Sequence, residues 1–198
     1  MTTSRDTVWT MLIGGVLALF AAFQLTVEKI ALLSDPNYQL ACDINPVVSC
    51  GSVIVTEQAS VFGFPNPILG LCGFSVVITL AVLLLGKVEF PRWVWLGLNA
   101  GVLAGLVFVG WLVSQSLYSI GALCPWCMVV WSCTIPIFWL VTAENIRRGR
   151  FGRSGESDVQ LGVVAGTVVS LRWLLVAATY LLIGGLIFVR WMDFWLGG

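Results

Sequence analysis

An all-α integral membrane protein is what this sequence predicts, and three observations carry that expectation. Of 198 residues, 59% are hydrophobic and only 10% are charged. The mean hydropathy is +0.97, far outside the range of a soluble domain. The apolar residues also fall into five long stretches, each able to supply the roughly 20 residues that a membrane helix needs. Ten Lys plus Arg balance ten Asp plus Glu, so net charge points to no partner and gives no support to nucleic acid. There is no histidine, which removes the usual ring base, haem ligand and mixed Cys/His zinc site and leaves the chemistry to cysteine.

The first stretch, about Val8 to Leu33, has a weakly basic start (Arg5) and too long an apolar run for a cleaved signal peptide, so a retained helix is expected. Near its outer end, Glu28 and Lys29 read as a snorkelling lysine beside its counter-charge. Ser34 to Phe64 is polar and turn-rich; its second half becomes apolar but is too short to cross, and is expected to lie at the interface as a cap over the helices. The second span begins at Pro67 and ends near Leu85, followed by a basic turn with Lys87 and Arg92. The third, about Trp93 to Ser114, carries Gly97, Gly101 and Gly105 at four-residue spacing, a pattern that lets two helices approach closely. The fourth runs from Pro125 to about Glu144, and Arg147, Arg148, Arg150 and Arg153 follow in a basic linker over 146–170. Within that linker the apolar stretch Val159 to Ser170 either lies on the membrane surface or extends the last helix, which spans about Leu171 to Trp195 in the segment 171–198.

Orientation follows from counting positive charges. With the N-terminus cytoplasmic, eight of the ten Lys and Arg residues lie inside, only Lys29 and Arg190 lie outside, and Cys42, Cys50, Cys124 and Cys127 all face the extracytoplasmic side. Tryptophans at the span ends (Trp9, Trp93 and Trp173 inside; Trp126, Trp191 and Trp195 outside) read as interfacial belts.

The chemistry is expected at Cys124-Pro125-Trp126-Cys127, at the head of the fourth span. Successive helical residues turn by roughly 100°, so positions three apart lie about 60° from each other and both sulfurs face the same way. Pro125 suits the first helical position and makes Cys124 the N-cap, where free N–H groups and the positive end of the helix dipole favour a thiolate. The second pair, Cys42 and Cys50, lies on the outer loop. Two sulfur pairs on one side suit thiol–disulfide exchange if the loop can touch the helix. Two static disulfides stapling the loop are the alternative in an oxidising compartment, and the C-x-x-C at a helix start favours exchange over stapling. Cys72 and Cys133, deeper along apolar helices, read as small buried hydrophobes. A four-cysteine zinc site fits poorly, because eight residues separate Cys42 from Cys50 where zinc knuckles are shorter; no metal is expected.

Cys42-Asp43-Ile44-Asn45-Pro46-Val47-Val48-Ser49-Cys50-Gly51-Ser52-Val53, then Phe62-Gly63-Phe64-Pro65-Asn66-Pro67-Ile68-Leu69-Gly70, then Cys124-Pro125-Trp126-Cys127, resembles the vitamin K epoxide reductase family, most of all its bacterial, actinobacterial branch. The likeness covers roughly residues 8 to 145. DsbB-type oxidases carry the C-x-x-C in the first outer loop and the second pair later, the reverse of the order here. The resemblance implies a four-helix transmembrane bundle around a quinone, menaquinone or ubiquinone, with the fifth transmembrane helix added to it and residues 1–145 forming the catalytic unit with its outer loop 34–64. By the same analogy Cys127 lies next to the quinone, Cys124 exchanges with Cys50, and Cys42 takes electrons from an external thiol. Asn66 corresponds to an asparagine that hydrogen-bonds a quinone carbonyl; it also precedes Pro67, so capping of the second span is its other reading. Where the family has a tyrosine four residues beyond the second C-x-x-C cysteine, this chain has Trp131, one turn below Cys127, whose indole can donate a single hydrogen bond. Some members continue into a thioredoxin-like domain; with the chain ending at Gly198, a separate extracytoplasmic thioredoxin-fold (DsbA-like) protein is expected as electron donor.

The expected function is therefore a membrane thiol:quinone oxidoreductase that makes disulfides in extracytoplasmic proteins. Three rivals stand beside it. One is a reductase whose true substrate is vitamin K epoxide or a naphthoquinone. Another is a scaffold with structural disulfides. The third is a small transporter, disfavoured because Glu28, Lys29 and Asp193, near the span ends, offer no ionisable pathway.

Overall fold

The computed structural model describes residues 3–35, 38–40, 42–45, 47–152 and 166–192. Among these the chain forms helices α1 (Arg5–Ser34), α2 (Gly51–Ile54), α3 (Pro67–Leu85), α4 (Arg92–Gln115), α5 (Pro125–Arg147) and α6 (Arg172–Arg190), with a 3-10 turn at Glu57–Ser60 and a π-helical turn at Ser116–Ile120. All but α2 are long and apolar enough to cross a membrane, and the molecule is an all-helical, multi-pass membrane protein. The spans begin and end within a few residues of the expected places, because the signals at their ends are local. Ser4 Oγ accepts the Thr7 N–H at 3.4 Å and Asp6 sits in the first turn of α1, where an anion complements the dipole. Proline opens α3 and α5. The π turn stops at Gly121, which has a left-handed φ of 73° and returns its N–H to Ser116 O at 3.0 Å.

Helix α1 packs between α3 and α5, α5 also holds α4 and α6, and α3 and α4 scarcely touch. Close approach occurs between α1 and α3: a Cβ on Gly15 would come within 2.9 Å of Ile78 Cγ1, and one on Gly70 within 3.0 Å of Ala22 Cβ. The expected packing stripe on α4 does something else. A Cβ on Gly97 or Gly101 would meet nothing within 4 Å, and one on Gly105 only Thr134 Cγ2 at 3.9 Å. Small residues permit contact but do not create a neighbour, and here the neighbour is a void.

At the end remote from the cysteines, Asn145 is fully buried, donating to Trp95 O and Asn99 Oδ1 at 3.1 Å each. Arg147 and Arg148 both bind the buried carboxylate of Glu144 at 2.7 Å, and Arg150 stacks on Trp95. Three of the four arginines expected in the basic linker are thus tied to the bundle; Arg153 lies outside the described residues, as do 159–165. Residues 166–170 are helical and lead through Leu171 into α6, with Leu171 N donating to Thr167 O at 2.8 Å and Leu175 N to Leu171 O at 2.9 Å. The described part of that apolar stretch therefore extends the last helix. Trp9, Trp93 and Trp173 are exposed as a belt requires, whereas Trp191 is buried against Val47, Leu117 and Leu123; Trp195 lies outside the described residues.

Pro136, inside α5, has no N–H to give the Ser132 carbonyl one turn earlier. The Tyr180 hydroxyl of α6 donates to that carbonyl, and Trp139 Nε1 donates to Thr179 Oγ1 at 3.1 Å nearby. An interhelical bond of this kind is worth about 1 kcal/mol in a membrane. Tyr180→Phe is therefore expected to lower the stability of the α5–α6 interface by about that amount, measured by denaturant-induced unfolding in detergent, while Phe at other lipid-facing positions of α6 leaves it unchanged.

Candidate active site

The loop between α1 and α3 is built to deliver Cys50 to the head of α5. Asn45 Oδ1 accepts the N–H groups of Val47 and Val48 at 2.9 and 2.8 Å, closing a local turn. Val48 then forms a parallel bridge with Leu123: Leu123 N donates to Val47 O at 2.7 Å, and Ser49 N to Leu123 O at 2.9 Å. Cys50 and Cys124 each follow closely on that bridge and so are brought side by side. Asp43 Oδ1 accepts from Ser49 Oγ at 2.8 Å and from Gly51 N at 2.9 Å. There is no room for a side chain at Gly51, since its Cβ would come within 2.7 Å of Asp43 Oδ2.

Cys42 and Cys50 form a disulfide, while Cys124 and Cys127 are unbonded thiols. Cys124 Sγ lies 3.5 Å from Cys50 Sγ, in van der Waals contact and at the distance from which a nucleophile attacks. The two sulfurs are almost wholly buried, at 0% and 2% exposure for Cys50 and Cys124. Cys124 is the N-cap of α5 with Pro125 in the first turn, as expected, and its sulfur accepts the Cys127 N–H at 3.3 Å. Leu25, Leu40 and Ile54 close over this group. The four cysteines thus form one continuous sulfur chain from the loop to α5.

Beyond it lies a cavity of about 920 Å³, within the range of small-molecule sites. Cys127, Asn66 and Trp131 line it together with Gly97, Gly101 and Phe108, and it occupies the gap where α3 and α4 fail to meet. Asn66 does not cap α3, because its side chain makes no cap bond. Instead its Nδ2 donates to Gln58 O at 2.7 Å and its Oδ1 accepts from Val61 N at 3.1 Å, fixing the loop that roofs the cavity and leaving one amide N–H without a partner among the described residues. Trp131 Nε1 has no hydrogen-bond partner among the described residues. An apolar cavity with a thiol, an amide and an indole ring at its wall fits a quinone, whose flat apolar ring carries two carbonyl acceptors.

Several sequence-based readings change. Glu28 and Lys29 do not pair: Lys29 Nζ donates to Ile54 O at 2.7 Å, pinning α2, while Glu28 Oε2 lies 3.2 Å from Cys42 Sγ. A helix surface offers neighbours in three dimensions, and here the loop outcompetes the adjacent residue. Cys133 is buried but Cys72 is exposed, because α3 presents it away from α1. Glu28, Cys42 and Cys50 offer ligand atoms within 4.8 Å of one another, yet the two sulfurs are bonded to each other and are not thiolate ligands. Sequence reasoning missed Asp43 and the Val48–Leu123 bridge; the acidic residue directly after Cys42 was the one local signal available.

A family model described as the vitamin K epoxide reductase family matches residues 9–142, which span α1 to most of α5 and hold all four clustered cysteines. No curated protein matches the chain.

Proposed function

Because the chain belongs to the vitamin K epoxide reductase family, and is on that ground a membrane thiol–disulfide oxidoreductase, we propose that it carries electrons from extracytoplasmic thiols through Cys42/Cys50 and Cys124/Cys127 to a membrane quinone. Disulfides in extracytoplasmic proteins are the product, formed through a separate thioredoxin-fold protein. The contact of Cys124 with Cys50 at 3.5 Å is the observation that carries this reading. With the N-terminus cytoplasmic, as the distribution of positive charge favours, both pairs open to the outer side. Residues 1–145 are then the catalytic unit and α6 an accessory span, and the loop motif around Cys42 and Cys50 favours a bacterial, actinobacterial origin.

A donor thiolate attacks Cys42, and Cys50 leaves as a thiolate. Cys50 attacks Cys124 of an oxidised Cys124–Cys127 pair, forming Cys50–Cys124 and releasing Cys127. The donor's second thiol takes the donor sulfur away as a disulfide and frees Cys42, which attacks Cys50 to regenerate Cys42–Cys50 and release Cys124. This leaves one closed pair and one open pair, the arrangement of the four sulfurs here. A quinone in the cavity supplies an acceptor for two electrons and two protons. Cys127 faces that cavity and gives up the electron pair as Cys124–Cys127 closes, while Asn66 and Trp131 offer N–H groups to carbonyl oxygens. Static structural disulfides account less well for Cys124 and Cys127, which lie beside a disulfide without joining it.

The test is reduction of a short-chain quinone by the purified protein supplied with a reduced dithiol. Wild type is expected to turn over and Cys127→Ala to fall to background. Equal rates in the two proteins, or none in either, would reject electron transfer from Cys127 to a quinone.

A further inference from the structure

We propose that Glu28 is an acid–base residue of the exchange at Cys42, taking the Cys42 proton as that sulfur attacks Cys50 and returning it when Cys42 departs. The proposal rests on the relay described above and assigns it a residue outside the cysteine pairs. Its basis is geometric. Glu28 Oε2 stands 3.2 Å from Cys42 Sγ, hydrogen-bonding distance for a thiol. No cation neutralises the carboxylate among the described residues, since its sequence neighbour Lys29 is engaged with Ile54 O and Glu28 enters no ion pair. The other groups facing it are the Trp126 side chain, and the Asp43 carboxylate and the Cys127 thiol, both close enough to act on it electrostatically. An acidic side chain at the outer end of a spanning helix, held against a sulfur and an indole without a counter-ion, is costly to keep as mere surface charge. It is well placed to receive a proton.

In the forward step the Cys42 S–H proton passes to Glu28, the Cys42 sulfur forms a bond to Cys50, and the Cys50–Cys124 bond breaks. The electron pair of that bond goes to Cys124, whose sulfur the Cys127 N–H already faces at 3.3 Å. In reverse, protonated Glu28 hands its proton to the departing Cys42 sulfur. No further oxidant or reductant is needed. The gain has a ceiling. An ordinary thiol with a pKa of about 8.5 is only about 3% ionised at pH 7, so a local base can accelerate the step by at most about thirtyfold there and by almost nothing above pH ~9.

The experiment follows the Cys50–Cys124 bridge directly. Full-length protein with Cys124–Cys127 oxidised is mixed with limiting dithiothreitol, quenched with acid and alkylated, and the bridge is quantified by peptide mapping. In Glu28→Gln the conversion of the bridge into Cys42–Cys50 is expected to run about ten- to thirtyfold more slowly than in wild type at pH 7, with the difference closing by pH ~9; return to Cys124–Cys127 through Cys127 is scored separately in the same peptide map. Glu28→Asp keeps a carboxyl slightly withdrawn, so it should show a smaller deficit that closes over the same range; it carries the test if the glutamine variant does not fold. Conversion to Cys42–Cys50 at the wild-type rate at pH 7, or a deficit of the same size at every pH, as a purely structural role would give, overturns the proposal. Quinone reduction measured on the same samples separates the two readings. Absence of quinone turnover in wild type with the bridge kinetics intact strikes the quinone alone, and normal turnover with unaltered bridge kinetics in Glu28→Gln strikes only Glu28.

Discussion

Removing Cys42 and Cys127 together is expected to turn the contact between Cys50 and Cys124 into a stable covalent bond in nearly every molecule. In the wild-type chain that bond has two exits, attack on Cys50 by Cys42 and attack on Cys124 by Cys127. With both sulfurs replaced by serine, neither exit exists. The remaining pair starts 3.5 Å apart, held by the Val48–Leu123 bridge and the Asp43 bonds to Ser49 and Gly51, so little movement is needed to reach the bonded distance of about 2.05 Å. Mass spectrometry of the non-reduced Cys42→Ser/Cys127→Ser protein should find the peptides containing Cys50 and Cys124 linked, and the same peptides separate in wild type. A protein with both sulfurs free after mild oxidation would mean that the loop and α5 do not exchange, and the relay would fail at its central step. Leu123→Pro supplies a further control. It removes the N–H that Val47 accepts, and the yield of the 50–124 link should drop with the loop no longer pinned.

How much of this could be read from the sequence depends on how far each cause lies along the chain. The starts of α3 and α5 were legible because proline at a first helical position acts within one turn, and the two cysteine pairs were legible from their spacing and order. Cys124 as N-cap follows from the same local rule. The Val48–Leu123 bridge joins residues that no local pattern relates, yet it decides which cysteine meets which. Glu28 was misread for a similar reason: Lys29 is its neighbour in sequence, but the helix turns the two side chains toward different parts of the loop. The glycines of α4 show a third kind of limit. Gly97, Gly101 and Gly105 have the same spacing whether they face another helix or empty space, and the distinction resides in α3, which leans on α1 through Gly15 and Gly70 and leaves α4 without a partner on that side.

That distinction can be tested by filling the space. In Gly97→Phe/Gly101→Phe, two rings one helical turn apart would project into the part of the cavity farther from Cys127 than Gly105 and Thr134. Because a Cβ at either position meets nothing within 4 Å, the change is expected to cost the bundle little, in contrast to Gly15, where Ile78 blocks the way. If the cavity is where quinone binds, the rings displace it from roughly 100 Å² of apolar contact, about 2.5 kcal/mol at 25 cal/mol per Å², and kcat/KM for quinone should fall by on the order of a hundredfold. The loss should appear mainly in KM, since Cys124 and Cys127 keep their geometry at the head of α5. Reduction of Cys42–Cys50 by dithiothreitol, followed by alkylation, should proceed at the wild-type rate, because the loop lies above the substituted turns and is held by bonds that neither glycine makes. Unchanged quinone kinetics in a folded double variant would place the acceptor elsewhere. A parallel loss of loop reduction would show instead that the rings had disturbed the sulfur chain, and substitution at Gly97 alone, farther along α4 from the cysteine end than Gly101, would then separate the two effects.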